Sequence, residues 1–128
     1  MNNEELNIIS KEILDASIQV HKEMGPGLLE SIYELCLINE LQTRKLDIQS
    51  QISIPLFYKG VELSKDFRID ILVENEIIIE VKAVEVILPV HKAQIISYLK
   101  LADKKLGFLI NFNVELLKNG FSRFVNNF

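Results

Sequence analysis

Apolar residues set the rhythm of this chain. Leu6, Ile9, Ile13, Ala16, Val20 and Met24 recur at steps of three and four, which predicts a helix over 3–24. Asn2 and Glu5 stand at capping-box spacing at its start. Gly25-Pro26-Gly27 breaks the chain after it. Leu29, Ile32, Tyr33, Cys36, Leu37 and Leu41 form the apolar face of a second helix over about 28–45. The period then changes to two. Ile48, Ile52, Ile54 and Leu56 alternate with polar residues and predict a strand over 48–58. Lys59-Gly60 reads as a tight turn into a second strand over 61–73. Glu74-Asn75-Glu76 is a short polar turn, and 77–83 a third strand. Pro89 opens a helix whose spacing through Ala93, Ile96, Leu99 and Ala102 covers 90–104. A fourth strand over 106–112 follows, then a turn at 114–117 and an edge strand at 121–125. The order is α, α, β, β, β, α, β, β, with no repeat, linker or low-complexity segment.

At 128 residues the chain has the length of one domain, 1–128, and can bury about two-thirds of its unfolded surface. Its 48% hydrophobic and 25% charged residues fit a soluble globular domain. No apolar run reaches the ~18–20 residues of a membrane span, and the acidic start Met1-Asn2-Asn3-Glu4-Glu5 is unlike a signal peptide. A single cysteine, Cys36, leaves no internal disulfide, and no Cys/His cluster suggests zinc. A cytoplasmic protein without membrane association is the expectation. The net charge of −4 argues mildly against a nucleic-acid binder. That charge is uneven. Residues 1–40 hold eight acids and two bases, and 41–128 hold ten acids and twelve bases, so the bulk value can hide a local basic face.

The chemistry-bearing residues interrupt the most strand-like stretch, RIDILVENEIIIEVKA at 68–83. If 66–73 and 77–83 form a hairpin closed by 74–76, positions summing to 150 face each other. Asp70 then lies opposite Glu80, and Arg68 opposite Lys82. Like charges directly opposed destabilise a sheet. Alternation places Glu80, Lys82 and Ile78 on one face and Ile79, Val81 and Ala83 on the other, and Asp70 joins the Glu80 face in this register. The two carboxylates need compensation. An ion-pair network with Arg68 and Lys82, or exposure to water, would supply it. So would a divalent cation, since Mg²⁺ takes one or two protein carboxylates and completes its octahedron with water and phosphate.

The arrangement Asp70 … Glu80-x-Lys82 across two strands resembles the PD-(D/E)xK nuclease superfamily, although Ile69 rather than proline precedes Asp70. The resemblance implies an α/β fold with an αβββαβ core, a mixed central sheet flanked by helices, and here an extra N-terminal helix. It implies that Asp70 and Glu80 bind Mg²⁺ or Mn²⁺, with the backbone carbonyl of Val81 as a further ligand, and that Lys82 assists the attacking water. Gly27, Glu30 and Tyr33 in GPGLLESIYELCL add a G-x-x-E-x-x-Y pattern. Followed by the hairpin motif, it is similar to the GxxExxY family grouped with these nucleases. Glu30 and Tyr33 share a helix face. The simple readings are helix-end stabilisation for Glu30 and a core aromatic with a bonded hydroxyl for Tyr33. The resemblance implies instead that Glu30 completes the metal site. Gln94 and Tyr98 in HKAQIISYLKL sit four apart on one helix face, similar to a Q-x-x-x-Y motif of RecB-type nucleases. Both are implied to contact the active site or DNA, the plain alternatives being a solvated glutamine and a packed tyrosine. Lys92, Lys100, Lys104 and Lys105 could line a phosphate-binding face.

The function implied is metal-dependent hydrolysis of nucleic-acid phosphodiester bonds, with DNA the first partner to consider. The alternative is a catalytically silent interaction module on the nuclease fold. A homodimer would enlarge the DNA contact of so small an enzyme.

Overall fold

The computed structural model describes residues 1–128, the side chains of residues 64–66 excepted. Helix α1 (Asn3–Met24) begins with the capping box expected from the sequence, Glu5 N–H donating to Asn2 Oδ1 at 2.8 Å and Asn2 N–H to Glu5 at 3.3 Å. Gly25 closes it in a positive-φ conformation (69°), and its N–H donates to the His21 carbonyl. Helix α2 (Glu30–Thr43) leads into β1 (Ile48–Tyr58), β2 (Val61–Val73) and β3 (Ile77–Lys82). Lys59 and Gly60, both at positive φ, make the two-residue turn between β1 and β2. Helix α3 (Pro89–Leu101) then crosses to β4 (Leu106–Asn111), and a 3₁₀ turn (Leu117–Asn119) precedes β5 (Phe121–Val125).

The strands form one sheet in the order β1-β2-β3-β4-β5. Only β3 and β4 run parallel, and α3 supplies the long crossover that a parallel pair requires. The sheet is mixed and covered on both faces, the architecture expected of the PD-(D/E)xK fold. On one face Ile71, Val73, Ile79, Val81, Phe108 and Ile110 pack against α1 and α2. On the other, Leu72 and Ile78 pack against α3 through Leu99. Gly107 brings that helix close. A β-carbon there would stand 3.2 Å from Ile95 Cδ1, Leu99 Cδ2 and the Ile78 carbonyl oxygen. Arg44 joins α1 to α2 through ion pairs with Glu12, Asp15 and Glu40.

Two helical faces differ from the sequence pattern. On α2 the buried residues are Tyr33, Leu37 and Leu41, while Leu29 and Ile32 face out. Leu29 is the N-cap, beyond the reach of the packed face. On α3 the buried residues are Ile95 and Leu99, whereas Ala93 and Ile96 of the expected face are exposed. Adjacent isoleucines at 95 and 96 allow either stripe, and the close approach to Gly107 selects Ile95.

The β1–β2 pair turns over part-way along. Ile71 and Val73 face α1 and α2, yet Ile69 joins the α3 side, and Phe67 meets Tyr98 with ring centroids 5.7 Å apart. Strand β1 does the same, with Ile48 on the α1/α2 side and Ile52 and Ile54 on the α3 side. Residues two apart on a regular strand share a face, so both strands change face around Gln51 and Asp70. The register continues from Ser50↔Ile71 to Ile52↔Ile69 without that pair being bridged, and Gln51 carries a φ of 50°.

Candidate functional site

The β2–β3 register is the one expected: Val73↔Ile77, Leu72↔Ile78 and Ile71↔Ile79. Backbone pairing stops there. Asp70 N–H donates to Glu80 Oε2 at 2.8 Å, and Val81 N–H donates to Asp70 Oδ2 at 2.8 Å. The two carboxylates bind main-chain N–H groups across the gap where β2 parts from β3. Arg68, expected opposite Lys82, therefore has no partner on β3 and is exposed.

Glu80 is buried at 4% exposure. Burial and the charge of Asp70 push its carboxyl pKa up to about 8, against the smaller opposing effects of the Asp70 N–H and the Lys82 charge. Lys82 is half-buried, two residues along the strand and on the same side by alternation. It stands level with Asn111 of β4 in the parallel register. Among the described residues no arginine or lysine forms an ion pair with Asp70 or Glu80, so of the alternatives read from the sequence the network with Arg68 and Lys82 is not formed.

Two further residues join this end of the sheet, and the sequence pattern did not single them out. Glu34, one turn along α2 from Glu30, is half-buried. Its pKa is raised by burial and by the Asp70 carboxylate, with a smaller contribution from Glu30. Gln51 Nε2 donates to Glu34 Oε1 at 3.0 Å and Oε2 at 3.1 Å, and lies 3.4 Å from Asp70 Oδ1. Glu30 itself is exposed in the first turn of α2 and acts on Glu34 through charge. The i, i+4 step from Glu30 to Glu34 was the available signal for the second carboxylate. Gln51 offered none.

On the α3 side Tyr98 is half-buried, and burial, then the charges of Glu80 and Asp70, hold its phenol above the usual range. The Gln94 side chain partly offsets this. Tyr98 thus lies within electrostatic reach of the acidic cluster and packs on Phe67, while Gln94, one turn before it on α3, is exposed. His91 is spent otherwise: its Nδ1 accepts the Leu88 N–H at 2.9 Å and caps α3. Lys104 Nζ donates to the Asn75 carbonyl at 2.8 Å, at the turn end of the β2–β3 hairpin, away from the cluster. Tyr33 is a core residue. It stacks on Phe112 at 4.7 Å, donates to the Gly25 carbonyl at 2.5 Å and accepts the Leu28 N–H at 3.1 Å, tying down the loop between α1 and α2.

A second set of polar contacts fixes the chain beyond Lys82. Asn111 is 3% exposed, and its side chain both accepts the Val84 N–H at 3.0 Å and donates to the Val84 carbonyl at 2.9 Å. Phe112 N–H donates to the Lys82 carbonyl at 2.9 Å. Together these hold the exit from β3 against the end of β4.

A family profile described as the PD-(D/E)XK nuclease superfamily matches residues 7–124, a span that includes every residue of this cluster. The chain belongs to the PD-(D/E)XK nuclease superfamily. No curated protein and no solved structure matches it significantly. Members of the PD-(D/E)XK superfamily typically use divalent metals. The donors here suit such an ion in kind: hard carboxylate oxygens from the half-buried Asp70 and the buried Glu80, with no cationic side chain paired to them among the described residues. They do not converge as a ready cage, and among the described residues no group of three His, Cys, Asp or Glu is arranged to hold a metal. Asp70 and Glu80 each commit one oxygen to a backbone N–H, and the second Asp70 oxygen lies 3.4 Å from Gln51 Nε2. No helix is long and apolar enough to cross a membrane.

Proposed function

We propose that the chain is a metal-dependent nuclease that hydrolyses nucleic-acid phosphodiester bonds at the Asp70/Glu80/Lys82 cluster. The observation that carries this reading is the Asp70–Glu80 pair, with Glu80 buried, left without a cationic partner among the described residues. Asp70, Glu80 and the Val81 carbonyl would hold Mg²⁺ or Mn²⁺. Glu34 would add charge from α2, with Glu30 behind it. A bound divalent cation lowers the pKa of its water and neutralises charge on the phosphate. The chain's own residues do the rest. Asp70 and Glu80 fix each other's position through the backbone N–H groups they bind. Lys82 orients the attacking water and offsets negative charge that grows on the phosphate oxygens. Gln94 and Tyr98, on the facing helix, position the scissile phosphate. The likeness to GxxExxY proteins rests on Gly27, Glu30 and Tyr33, of which Tyr33 serves the loop rather than the phosphate.

The second reading is a module that binds nucleic acid or protein without cutting. The superfamily includes inactive members, and the spent carboxylate oxygens and the acidic first 40 residues favour it. One assay separates the two. Single-stranded, double-stranded and branched DNA, and RNA, are incubated with the purified chain, with Mg²⁺ or Mn²⁺ and with chelator, beside Lys82→Ala. The nuclease reading expects metal-dependent cleavage of at least one substrate and a loss of about 10²-fold or more in the variant. Binding without cleavage supports the module. Equal cleavage by both proteins means contamination and contradicts the enzyme assignment.

A further inference from the structure

We infer that Gln51 is a positioning residue of the cation site, joining the α2 carboxylate of Glu34 to the β2 carboxylate of Asp70. This rests on the metal-site reading above and names a residue and a mechanism that reading does not contain. Glu34 and Asp70 come from different layers, a helix and the sheet beneath it, and their charges repel. Gln51 Nε2 donates to both Glu34 oxygens and lies 3.4 Å from Asp70 Oδ1, so one neutral amide spans the two groups. Neutrality matters here. A lysine or arginine in the same place would neutralise the carboxylates and compete with a divalent cation, whereas an amide holds them and leaves their charge for the ion.

The backbone points the same way. Gln51 adopts a φ of 50°, in the left-handed region that a residue with a β-carbon rarely occupies. Both hairpin strands change face at this position. The turnover sets Gln51 between α2 and Asp70, and such an outlier beside a chemical site is grounds for a functional role.

The test separates the amide from the backbone. Free Mn²⁺ is followed by electron paramagnetic resonance while the metal is titrated with wild type, Gln51→Gly, Gln51→Met, Glu34→Gln and the Gln51→Gly/Glu34→Gln pair. Thermal midpoints are taken without metal. Glycine suits a positive φ, so Gln51→Gly keeps the turnover and removes the amide. The expected result is Mn²⁺ affinity about tenfold weaker in both Gln51 variants, an unchanged or higher midpoint in Gln51→Gly, and little further loss in the pair. Wild-type affinity in both Gln51 variants overturns the inference while leaving the metal site in place. So does a fully additive loss in the pair, because Gln51 then does not act through Glu34. A wild-type chain that binds no Mn²⁺ overturns the metal-site reading itself, and the inference with it.

Discussion

Asp70 and Glu80 are bound to the main chain of each other's strand: Glu80 accepts the Asp70 N–H, and Asp70 accepts the N–H of Val81, next to Glu80, each at 2.8 Å. Their carboxylates thus end the β2–β3 ladder and stand together where the strands part. The arrangement leaves a buried acid whose pKa is pushed up to about 8, which makes it sensitive to pH.

An acid held above its ordinary value of 4.5 binds its proton more tightly in the folded state than in the unfolded one. Glu80 therefore favours the fold fully below about pH 4.5, and that contribution is lost as pH rises toward about 8. Glu80→Gln removes this titration while keeping an oxygen for the Asp70 N–H. In metal-free buffer the variant should gain thermal stability over wild type as pH rises from 5 to 8. Parallel midpoint-against-pH curves for the two proteins would contradict the buried, uncompensated state of Glu80.

Tyr33 is predicted to serve the fold rather than the reaction. Its hydroxyl bonds the Gly25 carbonyl and the Leu28 N–H, so Tyr33→Phe should cost about 1 kcal/mol. Limited proteolysis should quicken between residues 25 and 28. Mn²⁺ affinity should stay at the wild-type value, and a tenfold loss of affinity with unchanged stability would place Tyr33 in the site instead.

Asn111 holds both backbone groups of Val84, two residues beyond Lys82. Asn111→Ala leaves those groups without their partners in a half-buried setting and should destabilise by about 1–3 kcal/mol. Amide hydrogen exchange should rise at Val84 ahead of the rest of the sheet. Uniform exchange along β4 would show that the contact does not localise the β3 exit.

The hairpin is legible in the sequence because two strand-like runs flank one short turn, and the register in which positions sum to 150 forms as far as Ile71 and Ile79. What lay beyond was not. Where Asp70 and Glu80 bind main-chain groups, side-chain geometry replaces strand pairing, and sequence spacing carries no record of it. Ile48, Ile52 and Ile54 read as one face, yet β1 changes face at Gln51 because helices cover both sides of the sheet and either side accepts an isoleucine. Glu34 resembled any polar helix position until α2 was seated beside β1 and β2. The same ambiguity, two adjacent isoleucines, hid the buried stripe of α3.

The central claim is that Asp70 and Glu80 hold a divalent cation, and the most direct test is the anomalous scattering of Mn²⁺ in crystals of the chain. The account predicts an anomalous peak bounded by the Asp70 and Glu80 carboxylates and the Val81 carbonyl, absent from crystals of Asp70→Asn treated in the same way. No peak at that position at saturating Mn²⁺, or an equal peak in Asp70→Asn, would contradict it.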